Sequence, residues 1–434
     1  MIPGLLRLAA PYGSTAGYKG SMILGILRRK GSWRAKVLQL ARAVCSAPAY
    51  DVSYPPAGEP AGAALLFIED YIPDPSLGSG YPRSFEMLKV LAGLGCAVTV
   101  VPMWNHAPDP AVVKQLLNAG VRVVCGPSQY REMPVRYILG RMRNHFSLAV
   151  ICRPHNMKAF GGWVRACNPG IRLVYDAEAV FAARIILRRE LLLGRSLKQG
   201  VKRRMLNAEV RQARKADAVI AVSKHELDLF RTGLKRPPLL CIAGHRVEPQ
   251  PSGSGFGARE GVVFIGGILE SPCPNEDAVL FFVREIWPLI RKKLETTLTI
   301  VGENRSEQVA RCRSDEIAIV GRIPDLAEVY NRFRIMVAPT RYSGGIPLKV
   351  IEACARGLPC VITPLLARQL SWNDGCAAVV AQSPEAFARG CLRLYTDRSV
   401  WESVRCAALK RTGEEYSRTV FAAGITRAIG GQPS

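Results

Sequence analysis

Between Arg341 and Thr363 the chain reads RYSGGIPLKVIEACARGLPCVIT. An arginine, two adjacent glycines, a lysine and a glutamate are gathered around what reads as a helix start. The preceding FRIMVAPT, residues 333–340, is a short apolar run typical of a strand that empties into a loop. From Pro347 onward Val350, Ile351, Ala353, Cys354 and Leu358 recur at helical spacing, and Gly357 and Pro359 close the segment before a strand at residues 360–363. The order is strand, glycine-bearing loop, helix, strand. Such a loop lets backbone N–H groups approach an anion, and the helix amino terminus adds a favourable field. Glu352 offers two acceptor oxygens at a fixed place on that helix, or it is a helix-surface glutamate. Lys349 either approaches a nucleotide or faces solvent. Arg341 either forks onto two phosphate oxygens or forms a surface ion pair.

Further candidates sit where other apolar runs end. Gly78, Ser79 and Gly80 lie between a strand and a helix but lack the Gly-Lys-Ser ending of a Walker loop. Arg83 follows at the helix start, where it meets an anionic acceptor or faces solvent. His155 in CRPHN and Glu178 in YDAEA follow strand ends, the usual place for active-site groups in open parallel sheets. If the extended geometry persists, Asp176 and Glu178 share one strand face. His155 either binds a hydroxyl or developing charge, or is a loop histidine satisfied by backbone. His245, in AGHRVEP, belongs to a hinge or to the acceptor edge. Gly266 and Gly267, after VVFI, admit a diphosphate or simply make a tight turn. His106, His145, His155, His225 and His245 show no compact metal-ligand spacing, and the 13 cysteines include no CxxC pair. A metal enzyme is disfavoured, no cofactor is expected, and buried thiols in a reducing compartment are.

These residues need rigid elements to position them. A chain of 434 residues exceeds what one core usually serves, and 48% hydrophobic content suffices for two. AALLFIEDYIP, CAVTVVPM, FSLAVICRP, IRLVYDAE and ADAVIAVS read as strands alternating with helices over residues 61–249. QPSGSGFGARE, residues 250–260, reads as a linker, and GVVFIGG opens a second alternating series over 261–400. The fold class is α/β, with two Rossmann-like, doubly wound parallel-sheet domains facing across a cleft, and that cleft is the expected ligand site. NEDAVLFFVREIWPLIRKK reads as one long helix, and the amphipathic run within 401–434 as a helix packing back toward the first domain.

The net charge of +24 suits nucleic acid, an anionic membrane or a phosphorylated small molecule. Nucleic acid is disfavoured because the basic residues form no long block with aromatics suited to stacking bases. Basic clusters at RRKGSWRAK, residues 28–36, and KQGVKRRM, residues 198–205, meet acidic headgroups or are solvated faces. The apolar runs are too interrupted to span a bilayer. Residues 1–60 read as a basic leader, disordered or resting on the inner face of the cell membrane, in an otherwise cytoplasmic protein.

From about Ala63 to the last helix the chain resembles a family-four glycosyltransferase of GT-B architecture, of the bacterial polysaccharide-building type. The resemblance is carried, in order, by FIEDYIPDPSLGSGYPRSFEMLKVLAGLG, VICRPHN, VYDAEAVFAAR, ADAVIAVSKHE, VFIGG with SPCPNEDAVLFFVREIWPLI, and IVGRIPDLAEVYNRFRIMVAPTRYSGGIPLKVIEACARGLPCVIT. It implies retaining transfer of a hexose or deoxyhexose from a nucleotide-sugar, without a bound metal, to a saccharide or lipid-linked acceptor. The donor would lie on the second domain, where Glu352 reads the ribose. The acceptor side would comprise Gly78, Ser79, Gly80, Arg83, His155, Asp176, Glu178 and His245. His155, Gly345 and Glu352 would stand nearest the reaction. Two departures stand out. Gly344 occupies the place where family members carry a first glutamate, leaving Gly345 and the Ile346 backbone to meet the sugar or diphosphate. The basic pair usually found after the first strand of the donor domain is absent from FIGGILESPCPNED, so Arg322 or Arg341 would have to supply its charge. These departures also keep open a noncatalytic nucleotide-sugar-binding or assembly protein.

Overall fold

The computed structural model of the chain describes residues 51–53, 62–78, 80–104, 107–125 and 133–430. Its first sheet contains β1 (Asp51–Ser53), β2 (Ala64–Glu69), β3 (Ala97–Pro102), β4 (Arg122–Cys125), β5 (Leu148–Cys152), β6 (Arg172–Asp176), β7 (Ala218–Ala221) and β8 (Leu239–Ile242). The spatial order is β1-β4-β3-β2-β5-β6-β7-β8. All neighbours are parallel except β1, which pairs antiparallel with β4. The second sheet contains β9 (Val262–Ile265), β10 (Leu298–Val301), β11 (Ile317–Gly321), β12 (Ile335–Ala338), β13 (Cys360–Ile362) and β14 (Val379–Val380). Its order is β11-β10-β9-β12-β13-β14, all parallel. This is the GT-B arrangement.

Continuous apolar strands such as Leu65 to Ile68 suit a sheet covered on both faces. Leu66 and Ile68 join one core layer of the first sheet, and Leu65 and Phe67 the other, as the two-residue period of a strand requires. The second sheet is likewise sandwiched between two apolar layers. Each sheet reverses its winding once, between β2 and β5 and between β9 and β12. The chain diverges at these points, so the carboxyl ends of these four strands border open crevices.

Three expectations are corrected. Residues 51–53 of the leader form an edge strand, too short and too near Tyr54-Pro55-Pro56 to be read from pattern alone; residues 1–50 and 54–60 lie outside those described. The run NEDAVLFFVREIWPLIRKK is helical from Pro274, but passes through a π turn at Phe282–Ile286 before Trp287–Arg291. Pro288 has no N–H to donate and crowds the preceding turn, which this wider turn accommodates. The C-terminal run is two helices rather than one. Arg398–Tyr416 stays on the second domain, where Trp401 is fully buried, and Arg418–Ile429 alone crosses to the first, burying Phe421, Ile425 and Ala428. Ser417 breaks the run because its side chain caps Val420 N. The 250–260 segment is tied to the second domain by buried Arg259, which donates to the carbonyls of Tyr330 and Phe333.

Candidate functional site

The first-domain wall is built where β2, β5 and β6 end. Arg153, with φ +72°, turns the chain sharply after β5. Its Nε lies 2.6 Å from Glu69 Oε1, 3.1 Å from Glu178 Oε2 and 3.4 Å from Asp70 Oδ2. Its guanidinium stands 4.8 Å from the centroid of the Tyr81 ring. Burial opposes the charge on Arg153, but Glu69 and Glu178 outweigh it and raise its pKa. Burial pushes the Glu178 carboxyl up to about 8 against the pull of Arg153. Three carboxyls thus share one guanidinium.

His155 begins the helix Pro154–Cys167, with Nε2 2.6 Å from Asp70 Oδ1 and about half of its side chain exposed. Asn156 Nδ2 donates to the same oxygen at 2.9 Å. Burial raises the Asp70 pKa, but the His155 hydrogen bond and charge, with Arg153 and Asn156, leave it lowered overall. Engaging Nε2 with a carboxylate leaves Nδ1 as the ring nitrogen for a ligand. Gly80 makes the close approach of Glu178 possible, since a Cβ there would lie 1.7 Å from Glu178 Oε1. Gly78 closes the turn Pro75–Leu77, and Ser79 lies outside the described residues.

Arg83 and Asp176 do not open into the cleft but are buried against each other. Arg83 Nη1 and Nη2 donate to Asp176 Oδ2 and Oδ1 at 2.6 and 2.9 Å, and Arg83 also donates to the carbonyls of Ala243 and Gly244. Both side chains are fully buried, because each neutralises the other beneath the cleft floor. Asp176 and Glu178 do not share a strand face either, since β6 ends at Asp176 and Glu178 adopts φ +55°. His245 follows Gly244 at the domain junction. Burial and the nearby Arg83 charge push it down to about 3, so it is a neutral imidazole.

The second-domain wall centres on Lys349 and Glu352 in the helix Leu348–Ala355. Lys349 Nζ donates to Asn275 Oδ1 at 2.6 Å and stands 4.4 Å from the Phe264 ring centroid. No carboxylate among the described residues pairs with it, and burial pushes it down to about 8. Asn275, at the start of the helix Pro274–Phe281, donates through Nδ2 to Gly267 O at 2.7 Å. A Cβ at Gly266 would lie 2.9 Å from both Lys349 Nζ and Asn275 Nδ2, so glycine is what lets the ammonium sit over the end of β9. Burial raises the Glu352 pKa, while its 3.3 Å hydrogen bond from Tyr330 Oη and the Arg356 charge oppose that rise. Its Oε1 has no hydrogen bond among the described residues.

The two arginines expected to offset diphosphate charge are engaged elsewhere. Arg341 forks onto Asp277 at 2.9 and 2.5 Å, a pairing that neutralises it. Exposed Arg322 reaches across the cleft to Ser76 O at 3.4 Å. Ile346 packs partly against the apolar layer beneath the loop.

The loop closes against the first domain. Gly345, at φ +75°, donates its N–H to Glu226 Oε1 at 2.8 Å, and Val180 N donates to the same oxygen at 3.0 Å. Glu226 is 2% exposed, its Oε2 is buried with no hydrogen-bond partner, and burial pushes its pKa up to about 7. A Cβ at Gly344 would stand 3.4 Å from Arg184 Cβ and 3.5 Å from Val180 O, so the loop abuts the neighbouring helix. Glu226 thus brings a carboxylate from the other domain to the loop that lacks one. Sequence reasoning missed it, together with Glu69, Asp70, Arg153 and Asn275. Ser223-x-x-Glu226 reads as a capping box, a pattern that assigns both side chains to local N–H groups. Ser223 does cap, but Glu226 reaches across the cleft instead.

Residues 259–397 match the model of the family described as Glycosyl transferases group 1. None of the curated proteins matches the chain. Sucrose-phosphate synthase from Thermosynechococcus elongatus superposes with a TM-score of 0.62 at 15% identity, over 84% of this chain and 98% of that one. HepE from Anabaena, in complex with UDP and glucose, gives 0.63 at 14%, over 86% and 100%. A glycosyltransferase from Rickettsia africae gives 0.61 at 12%, over 86% and 100%.

Proposed function

From a GT-B fold whose residues 259–397 match the model of the Glycosyl transferases group 1 family, we propose that this protein moves a hexose or deoxyhexose from a nucleotide-sugar to a saccharide or lipid-linked acceptor. Transfer proceeds with retention, in cell-surface polysaccharide synthesis on the cytoplasmic side of a membrane. The observation that carries this reading is Lys349, a recessed ammonium with no carboxylate partner among the described residues, beside Gly266 and a helix amino terminus. An unneutralised cation in such a place is costly unless an anion binds there. A diphosphate satisfies the ammonium and the helix terminus together, with no metal ion required of the protein. Glu352 then offers acceptor oxygens to the ribose.

Lys349 and the helix terminus stabilise the departing diphosphate; as its bond to the anomeric carbon breaks, the acceptor hydroxyl attacks that carbon from the same face within the cleft and passes its proton to the departing diphosphate oxygen. Nδ1 of His155, oriented by Asp70, meets a sugar hydroxyl or developing charge. HepE in complex with UDP-glucose supports putting uridine-diphosphate sugars first in a donor panel. The test incubates full-length protein with nucleotide-sugars and oligosaccharide or lipid-linked acceptors, following nucleotide release and product linkage. A retained anomeric configuration is expected; an inverted one defeats the mechanism. The engagement of Arg341 by Asp277 favours a second reading, a nucleotide-sugar-binding assembly protein. Tight donor binding without transfer across the panel identifies that alternative.

A further inference from the structure

We propose that the tip formed by the end of the helix Phe181–Leu193 and the start of the helix Gln199–Val210 is a docking face for an anionic lipid bilayer. Three large apolar side chains stand in water there: Leu192 is 74% exposed, Leu193 52% and Val201 40%. Around them Arg188, Arg189, Arg195, Lys198, Arg203 and Arg204 are exposed, and none has a carboxylate partner among the described residues. Glu190 is the sole acidic residue from 181 to 204. It accepts from Ser196 Oγ and Leu197 N, both at 2.8 Å, and pairs with Lys202 at 2.5 Å. One carboxylate therefore fixes the turn between the helices and cancels a single charge. The other cations remain.

Leucines ringed by unpaired cations call for a partner that is apolar within and anionic at its rim. A bilayer carrying acidic headgroups is both: leucine enters the boundary between headgroups and acyl chains, and the cations meet phosphates. A nucleic acid would use the charge but not the leucines, and no aromatic side chain lies between Ile185 and Met205 to stack a base. A second copy would bring the same positive charge to the contact. The tip also opens inward. Arg188, Leu191 and Leu192 line a cavity of about 320 Å³ together with Pro272, Cys273 and Tyr342 of the second domain. If the chain transfers a sugar as proposed above, a membrane-borne acceptor reaches the cleft by this route. The docking face itself does not depend on that reading.

The full-length protein is floated with phosphatidylcholine vesicles, with and without phosphatidylglycerol, at low and physiological salt. Binding is expected only with the anionic lipid, falling steeply as salt rises. Arg203→Ser with Arg204→Ser should lower the vesicle partition coefficient on the order of tenfold or more. Leu192→Ser with Leu193→Ser should lower it comparably even at low salt. Thermal unfolding shows that each variant is folded. Partitioning of both folded variants within roughly twofold of the parent chain overturns the proposal and moves binding to another basic segment. Capture of single-stranded DNA without vesicle binding overturns it in favour of a polyanion site. Neither outcome touches donor binding, so the glycosyl-transfer reading stands or falls separately.

Discussion

Lys349 and Glu352 share one helix, yet the tasks proposed for them differ. With its pKa pushed down to about 8, Lys349 in the empty site is protonated below that pH and loses its proton above it. A diphosphate prefers the ammonium, so donor affinity should be flat below pH 8 and fall as pH rises past it. Calorimetry from pH 6.5 to 9.5 should show this dependence, and Lys349→Met should abolish it while weakening binding at pH 7. An unchanged profile in the folded variant removes Lys349 from the diphosphate site. Glu352→Ala should weaken donor binding by about 1.5–3 kcal/mol, the range for hydrogen bonds to charged groups. Turnover at saturating donor should change less. Equal affinity in folded Glu352→Ala and Glu352→Gln would place the ribose contact elsewhere. Both residues were legible from sequence because they sit inside one short motif. Arg341 was not: its fate rests on Asp277, which the sequence separates from it by 64 positions.

At the scale of elements, two helices and a loop meet through one buried carboxyl. Glu226, from the helix Lys224–Gly233, joins Val180 at the start of one helix to Gly345 in the donor-side loop. Glu226→Ala leaves two N–H groups without that acceptor and should cost about 1–3 kcal/mol of stability. It should also lower turnover more than it lowers donor affinity, because the loop loses its anchor. Glu226→Gln keeps an acceptor but removes the titration. The folded pKa of about 7 exceeds the ordinary 4.5, so the folded state holds the extra proton between these values. This contribution to stability is full below pH 4.5 and is lost as pH rises through 7. Denaturant unfolding at pH 5 and pH 8 should therefore differ less in the Gln variant, by an amount on the order of 3 kcal/mol. Identical pH profiles for the parent and Gln chains would show that Glu226 is not the titrating group. The helices and strands involved were readable from periodicity. Their contact was not, because a capping-box pattern also satisfies that segment locally.

At the scale of the whole molecule, the chain ends by returning to its first domain. Phe421 is 1% exposed and packs with Ile425 and Ala428 against the layer containing Phe67 and Val98. Phe421→Ala should cost about 3–5 kcal/mol, measured by denaturant unfolding, and should loosen the tie between the halves. A loss within the ordinary range of surface substitutions would mean that the crossing helix contributes little. The sequence by itself determined two mostly parallel α/β sheets and the helix that carries Lys349 and Glu352. Periods of two and 3.6 residues, and the glycines and prolines that interrupt them, are local signals. Only the tertiary structure decided which charges remain available to a ligand. Arg83 is consumed by Asp176, 93 positions away, and Gly345 is held by Glu226, 119 positions away. Such pairings follow from strand order at the two crevices and from closure of one sheet domain on the other. Side chains brought together by that packing compete for the same partners, and no segment contains the outcome by itself.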